Sequence, residues 1–277
     1  MKLFLRILLG LAIIITALLF ADSMREQPLM GQFLSEYIVP LKNRLTVFGS
    51  AEEDNSTPQG ENLAYPSSEN FTSFPEDEPV IQSEPGGRES PLTEALRRGD
   101  LGEVSRLVQS GENINSTDIL GNTPLVYAIT GGNVRAAELM LIHGADPDIK
   151  DYEGRTPTHK AARRNREQII RLLIERGADV NAADNEGVTP LMLAVRYGFH
   201  GVIIDLIKGG ADVNAADGNG FTPLMYAAQY GNIDGAAALI ASSSDTMKAD
   251  AYGRSALDLA KEYGHENIAN LLVRNMQ

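Results

Sequence analysis

Four histidines and a row of aspartates are the residues of this 277-residue chain whose types could do chemistry. The histidines are His143, His159, His200 and His265. A zinc or general-base site needs two such groups a few residues apart on one helix face, or one beside a carboxylate pair. None of the four has that spacing. The aspartates Asp118, Asp151, Asp184, Asp217 and Asp250 recur every 33 residues. A catalytic acid is singular, so a carboxylate repeated in phase reads as a turn former that bonds its own backbone a few residues on. The chain has no cysteine, hence no thiolate nucleophile, thiolate metal site or disulfide. It also lacks the phosphate-cradling, nucleophile-elbow and H-E-x-x-H patterns. The expectation is a protein that is not an enzyme and uses no metal or cofactor.

The 33-residue step reaches well beyond the aspartates. Gly121, Gly154, Gly187, Gly220 and Gly253 keep it, and so do Gly99, Gly132, Asn165, Gly198, Gly231 and Gly264. Thr-Pro pairs begin at Thr123, Thr156, Thr189 and Thr222 in the same phase. A fixed period of this length means stacked supersecondary units that bury one another's apolar sides. The unit from Gly187 shows the local logic. Gly187 supplies the positive φ of a tight turn. Thr189 caps a helix and Pro190 is pre-shaped for its first turn. Leu191, Ala194 and Val195 recur at helical spacing, and Gly198 closes that helix in the left-handed conformation. A second helix follows with Val202, Ile203, Leu206 and Ile207 inward, stopped by Gly210. Ala211-Asp212-Val213-Asn214 leads to the next turn.

This pattern resembles the ankyrin repeat family, over residues 90–277, in period, capping residues and both glycine ladders. The fold class it implies is an all-α repeat solenoid. Its β-turn tips join about six helix-turn-helix units. An N-terminal hydrophobic helix and a disordered linker precede them. The departures carry information. Histidine stands at the signature position only as His159, where it is expected to hydrogen-bond within its repeat or to a neighbouring turn. Asn165 replaces a glycine, which asparagine tolerates because it also visits positive φ. Ser243 and Ser244 replace the Gly-Ala ending, so Ser243 is expected at a strained left-handed cap. The first and last units are more polar, as terminal caps must be.

The resemblance further implies a concave face lined by the first helices and the turn tips. The residues expected to bind a protein partner there are Arg97, Arg98, Tyr127, Lys160, Arg163, Arg164, Arg196, Tyr197, Tyr226, Tyr230 and Tyr263. Tyr and Arg are the types enriched at protein interfaces. The basic content of this face points to an acidic partner.

Charge and hydropathy divide the chain ahead of the repeats. Residues 1–21 read as a signal anchor, with Lys2 and Arg6 leading into an uncharged run from Ile7 to Ala21. That run lies between the length of a signal-peptide core and that of a spanning helix. Residues 3–21 are the expected membrane segment, and cleavage after Ala21 is the alternative. Residues 22–49 form a juxtamembrane amphipathic segment. Residues 50–89 carry ten acidic side chains and one basic, net −9 of the chain's −13, in a Glu-, Pro- and Ser-rich composition. Such a segment reads as a disordered linker, long enough to fold back across the basic stripe. The net acidity argues against nucleic acid as a partner. The leading charges favour exported repeats, periplasmic or extracellular. Arg25, Lys42 and Arg44 beyond the run keep a cytosolic-facing topology open. The functional expectation is a membrane-tethered, non-catalytic scaffold that binds a protein. A self-associating envelope spacer and an exported effector with its signal removed stand as alternatives, and the sequence leaves the oligomeric state open.

Overall fold

The computed structural model describes residues 90–276, which lie in one compact unit of the chain. The anchor, the amphipathic stretch and the acidic linker fall outside the described residues. Among the described residues no helix is long and apolar enough to cross a membrane.

Twelve helices form six antiparallel pairs, and no named strand occurs among the described residues. The first helices of the pairs are α1 (Pro91–Arg98), α3 (Pro124–Thr130), α5 (Pro157–Arg163), α7 (Pro190–Arg196), α9 (Pro223–Tyr230) and α11 (Ala256–Glu262). Each is followed by its partner: α2 (Leu101–Gln109), α4 (Val134–Ile142), α6 (Glu167–Glu175), α8 (His200–Lys208), α10 (Ile233–Ala241) and α12 (Glu266–Asn275).

The starts and stops are chemical. Thr189 and Thr222 accept the N–H bonds of Met192 and Met225 at the heads of α7 and α9, with proline in the first turn. Asp100, Asn133 and Asn232 cap the second helices α2, α4 and α10 in the same way. Arg166, Phe199 and His265 occupy that position elsewhere and give no side-chain cap.

The core repeats with the period. Ala95, Ala128, Ala161, Ala194, Ala227 and Ala260 are buried on successive first helices. A methyl at that point lets neighbouring backbones approach closely. Successive first helices accordingly pack against one another more closely than successive second helices do. Leu107, Met140, Leu173, Leu206, Leu239 and Leu272 form the matching row on the second helices. Burying each such side chain contributes about 2 kcal/mol.

The turns are joined to each other. Each phased aspartate accepts two backbone N–H bonds, as at Asp184 from Glu186 and Val188, both at 2.9 Å. Neighbouring tips then hydrogen-bond directly, with Asn185 N–H donating to Glu153 O at 3.0 Å and Gly218 N–H to Glu186 O at 2.8 Å. The approach explains the glycine at the tip. Gly187 has φ 84°, and a Cβ there would meet the Gly218 nitrogen at 2.8 Å.

A second ladder ties the segments that follow the second helices. Asn115 Oδ1 accepts from Asp146 N–H, Asp148 Oδ1 from Asp179, Asn181 Oδ1 from Asp212 and Asn214 Oδ1 from Asp245. The asparagines also donate, through Nδ2, to the carbonyls of Gly144, Gly210 and Ser243. Asp148 breaks the pattern, because a carboxylate has no donor to offer the equivalent Gly177 carbonyl.

The substitutions in the glycine ladders behave as their chemistry requires. Asn165 and Ser243 adopt φ 53° and 65°, the positive-φ conformations found among the described non-glycine residues.

A candidate partner-binding face

The residues expected on the first-helix face separate into two groups. Tyr127, Lys160 and Tyr226 are buried at 7%, 6% and 9% exposure, so the expectation that they present their side chains to a partner is corrected. Each is drawn to the aspartate nine residues before it. Tyr127 Oη donates to Asp118 Oδ2 at 2.7 Å, and Tyr226 Oη to Asp217 Oδ2 at 2.8 Å. Lys160 Nζ lies 2.9 Å from Asp151 Oδ2. The turn uses one oxygen of the carboxylate, and these side chains satisfy the other.

Where the residue at that position is Leu193 or Leu259, an arginine takes over. Arg254 Nη2 lies 2.9 Å from Asp250 Oδ2, and Arg155 Nε is 3.5 Å from Asp184 Oδ2. Electrostatics follow. Burial and the Asp217 hydrogen bond push the Tyr226 phenol well above its ordinary value. At Asp250 burial opposes the charge, but N–H bonds from Arg254 and Tyr252 and the Arg254 guanidinium outweigh it. Its carboxyl is held below the ordinary range.

The second group faces outward. Arg97, Arg98 and Arg196 are exposed, while Arg163, Arg164, Tyr197, Tyr230 and Tyr263 are half-buried. Aromatic side chains gather around Arg196. Its guanidinium lies 5.2 Å from the Tyr230 ring and 5.8 Å from the Tyr197 ring, within cation–π range. Tyr230 stacks on Tyr226 at 6.2 Å, and Tyr197 on Phe199 at 5.8 Å. Tyr263 joins through Gln229 Nε2, which donates to its hydroxyl at 3.2 Å. The result is a tyrosine and arginine surface spanning α7, α9 and α11, with its rings already oriented.

Sequence reasoning missed the turn tips as apolar points. Ile119, Leu120 and Tyr152 are 66%, 49% and 73% exposed. The first two tips are adjacent, since Tyr152 N–H donates to Leu120 O at 3.1 Å. The available signal was composition, because the next two tips carry Asn185-Glu186 and Gly218-Asn219 at these places, while the last carries Ala251-Tyr252, with Tyr252 79% exposed.

The histidine with a fixed role is structural. His159 is fully buried. Its Nδ1 accepts from Thr156 N–H at 3.1 Å, which leaves Nε2 to donate to Val188 O at 3.0 Å. One ring thus ties its own helix start to the next turn, and burial holds its pKa below the ordinary value. Among the described residues no three His, Asp or Glu side chains are grouped to hold a metal ion.

Comparison with known proteins agrees with this geometry. A family model described as ankyrin repeats, in three copies, matches residues 75–151, 132–217 and 200–277. No curated protein matches the chain.

Proposed function

The chain belongs to the ankyrin repeat family, and from that premise we propose that it is a membrane-tethered scaffold. It holds a protein partner against the first-helix face and the turn tips. The family generally mediates protein–protein interaction and is typically non-catalytic. The observation that carries the reading for this chain is the cluster of Arg196, Tyr197, Tyr230 and Tyr263. Rigid aromatic rings and a planar cation bring large contact area at low entropic cost, which is the composition of binding hot spots. The partner-binding set is therefore Arg97, Arg98, Arg163, Arg164, Arg196, Tyr197, Tyr230 and Tyr263, with the exposed tips Ile119, Leu120 and Tyr152 added.

The test is capture of the partner by the wild-type chain and by an Arg196→Glu variant. Loss of capture at unchanged melting temperature supports the reading, and equal capture by the variant overturns it. Recovery of copies of this chain alone would favour the self-associating spacer instead. The tether rests on the apolar run Ile7–Ala21 behind Lys2 and Arg6, with the repeats exported. The mass of the mature chain distinguishes a retained anchor from a cleaved signal. Protease access to the repeats in sealed membranes reads the topology.

A further inference from the structure

The joins between units are unequal. The third and fourth units are densely tied. His159 Nε2 donates to Val188 O at 3.0 Å, and Asn185 Nδ2 to Tyr152 O at 2.9 Å. Arg171 Nη1 lies 2.9 Å from Asp205 Oδ2, linking α6 to α8. These two are the most closely packed of the successive second helices.

The join ahead of the third unit is the opposite case. Among the described residues, α4 and α6 are the loosest pair of successive second helices. Asp148 accepts from Asp179 N–H at 2.9 Å across this join. Its carboxylate offers no donor to the Gly177 carbonyl, where Asn115, Asn181 and Asn214 each donate to a carbonyl at their own joins. Thr158 stands in the row of Leu92, Leu125, Leu191 and Leu224. It is fully buried, and its hydroxyl has no hydrogen-bond partner. A buried orphan hydroxyl is destabilising, and it stands where neighbouring units bury a larger apolar side chain. Within the third unit, α5 also packs on α6 less closely than the two helices of any other unit do.

Composition marks the same place. After Pro157 the third unit reads Thr158-His159-Lys160-Ala161-Ala162-Arg163-Arg164, in phase with Leu92-Thr93-Glu94-Ala95-Leu96-Arg97-Arg98 after Pro91. Both put a charge where the other units have Tyr127, Leu193, Tyr226 and Leu259, and both finish on two arginines. In the first unit such polarity suits the end of a stack, where one side has no neighbour. The third unit carries the same pattern in the interior. Lys160 Nζ lies 2.9 Å from Asp151 Oδ2 of its own unit, a tie that does not depend on the second unit.

We propose that the third unit is an internal end cap and that the stack opens at the join ahead of it, residues 90–150 unfolding together while the four later units stay folded. Two units fall short of the three or so that such a stack needs, so α1–α4 unfold when the join parts rather than swing as a body. The four units that remain present a polar first helix at their new end. One consequence rests on the partner face assigned above, although the opening itself does not. Arg97, Arg98, Ile119 and Leu120 lie on the part that opens, and Arg196 and Tyr230 on the part that stays. A ligand that covers Leu120 and Tyr152 together binds the closed stack alone and holds the join shut.

Hydrogen exchange of the full chain at neutral pH, read by mass spectrometry, tests the opening. Peptides from α1–α4 should share one opening and exchange roughly tenfold or more faster than those from α5–α10, relative to their intrinsic rates, with the step between α4 and α5. D148N supplies the missing donor at the weak join and should slow α1–α4 together by roughly fivefold. N181D removes the corresponding donor at the next join. It should leave α1–α4 unchanged, because the proposed opening does not break that join. A step located elsewhere, protection that declines smoothly toward the ends, or α1–α4 as protected as α7 and α8 would overturn the proposal. So would α1–α4 rates that ignore D148N, or that rise with N181D as they must if exchange needs the whole stack to unfold.

Discussion

Asp148→Asn should stabilise the stack, and the size of the effect can be worked from its neighbours. At the equivalent places Asn115, Asn181 and Asn214 accept one backbone N–H and donate to the carbonyl 29 residues on, at 3.4, 2.9 and 3.4 Å. Asp148 keeps the first bond, accepting from Asp179 N–H at 2.9 Å. An ionised carboxylate cannot make the second. Asparagine restores it for about 1 kcal/mol net, and removes the repulsion from Asp179 and Asp146 for a few tenths more after screening. A gain near 1–1.5 kcal/mol corresponds to roughly 3–5 °C in a stack of this size.

The pH dependence provides the sharper check. Burial, assisted by the Asp179 and Asp146 charges, raises the Asp148 pKa above its ordinary value, against the Asp179 N–H bond. The fold therefore favours the protonated acid, which can donate as asparagine does. Wild type loses this stability as pH rises through the raised pKa, and the variant has nothing to lose there. Thermal melts of both proteins should show the largest gap at neutral pH, closing as pH falls as far as the fold survives. A variant that melts with or below wild type at neutrality, or a gap that ignores pH, would refute the reasoning.

Three further outcomes are expected. Ser243→Gly should raise the melting temperature, since Ser243 holds φ 65° where Gly210 holds 91° and a left-handed serine costs about 1 kcal/mol; an unchanged or lower value would remove Ser243 from the cap position. His159 should titrate below the ordinary histidine value of about 6.5, because burial lowers its pKa. Its contribution is fully present above the unfolded pKa and is lost as pH falls through the folded one. An imidazole titration by NMR at or above the ordinary value would contradict the buried neutral ring. Leu206→Ala, in the middle of the stack, should cost roughly 2–5 kcal/mol, read from denaturant unfolding. A loss below that at Leu107, which keeps 7% exposure in the first unit, would mark the difference between a two-sided and a one-sided neighbour.

The period of the sequence carried most of the fold because each unit repeats one local solution. The aspartate turn, the capped first helix and the left-handed stop are decided within a dozen residues, so their chemistry is readable without a structure. Asn165 and Ser243 show how far that goes, since their positive φ follows from standing in the glycine register. The face was less legible. Tyr127, Lys160 and Tyr226 share a helical register with residues that do reach solvent, and helical spacing alone cannot separate them. What separates them is the second oxygen of the turn aspartate, which must find a donor once the tips pack. That demand is visible only in three dimensions, because the donor changes identity and origin along the stack. It is a tyrosine of the same unit at Asp118 and Asp217, a lysine at Asp151 and an arginine of the same unit at Asp250. At Asp184 the Arg155 guanidinium from the preceding unit pairs with that oxygen by charge, at 3.5 Å, rather than by a hydrogen bond from Nε.

The same bond connects the core to the candidate surface. Asp217 fixes Tyr226, Tyr226 supports Tyr230 in a near-parallel stack at 8°, and Tyr230 seats the Arg196 guanidinium. Tyr230 and Arg196 therefore owe part of their orientation to a half-buried carboxylate that also shapes a turn. A partner meeting Arg196 and Tyr230 finds them ordered before contact, which lowers the entropy lost on binding. The residue that makes the site rigid is thus one that a partner need not touch. In the repeats with leucine at the position of Tyr226 the surface rings are held by other neighbours, Tyr197 by Phe199 and Arg196, and Tyr263 by Gln229.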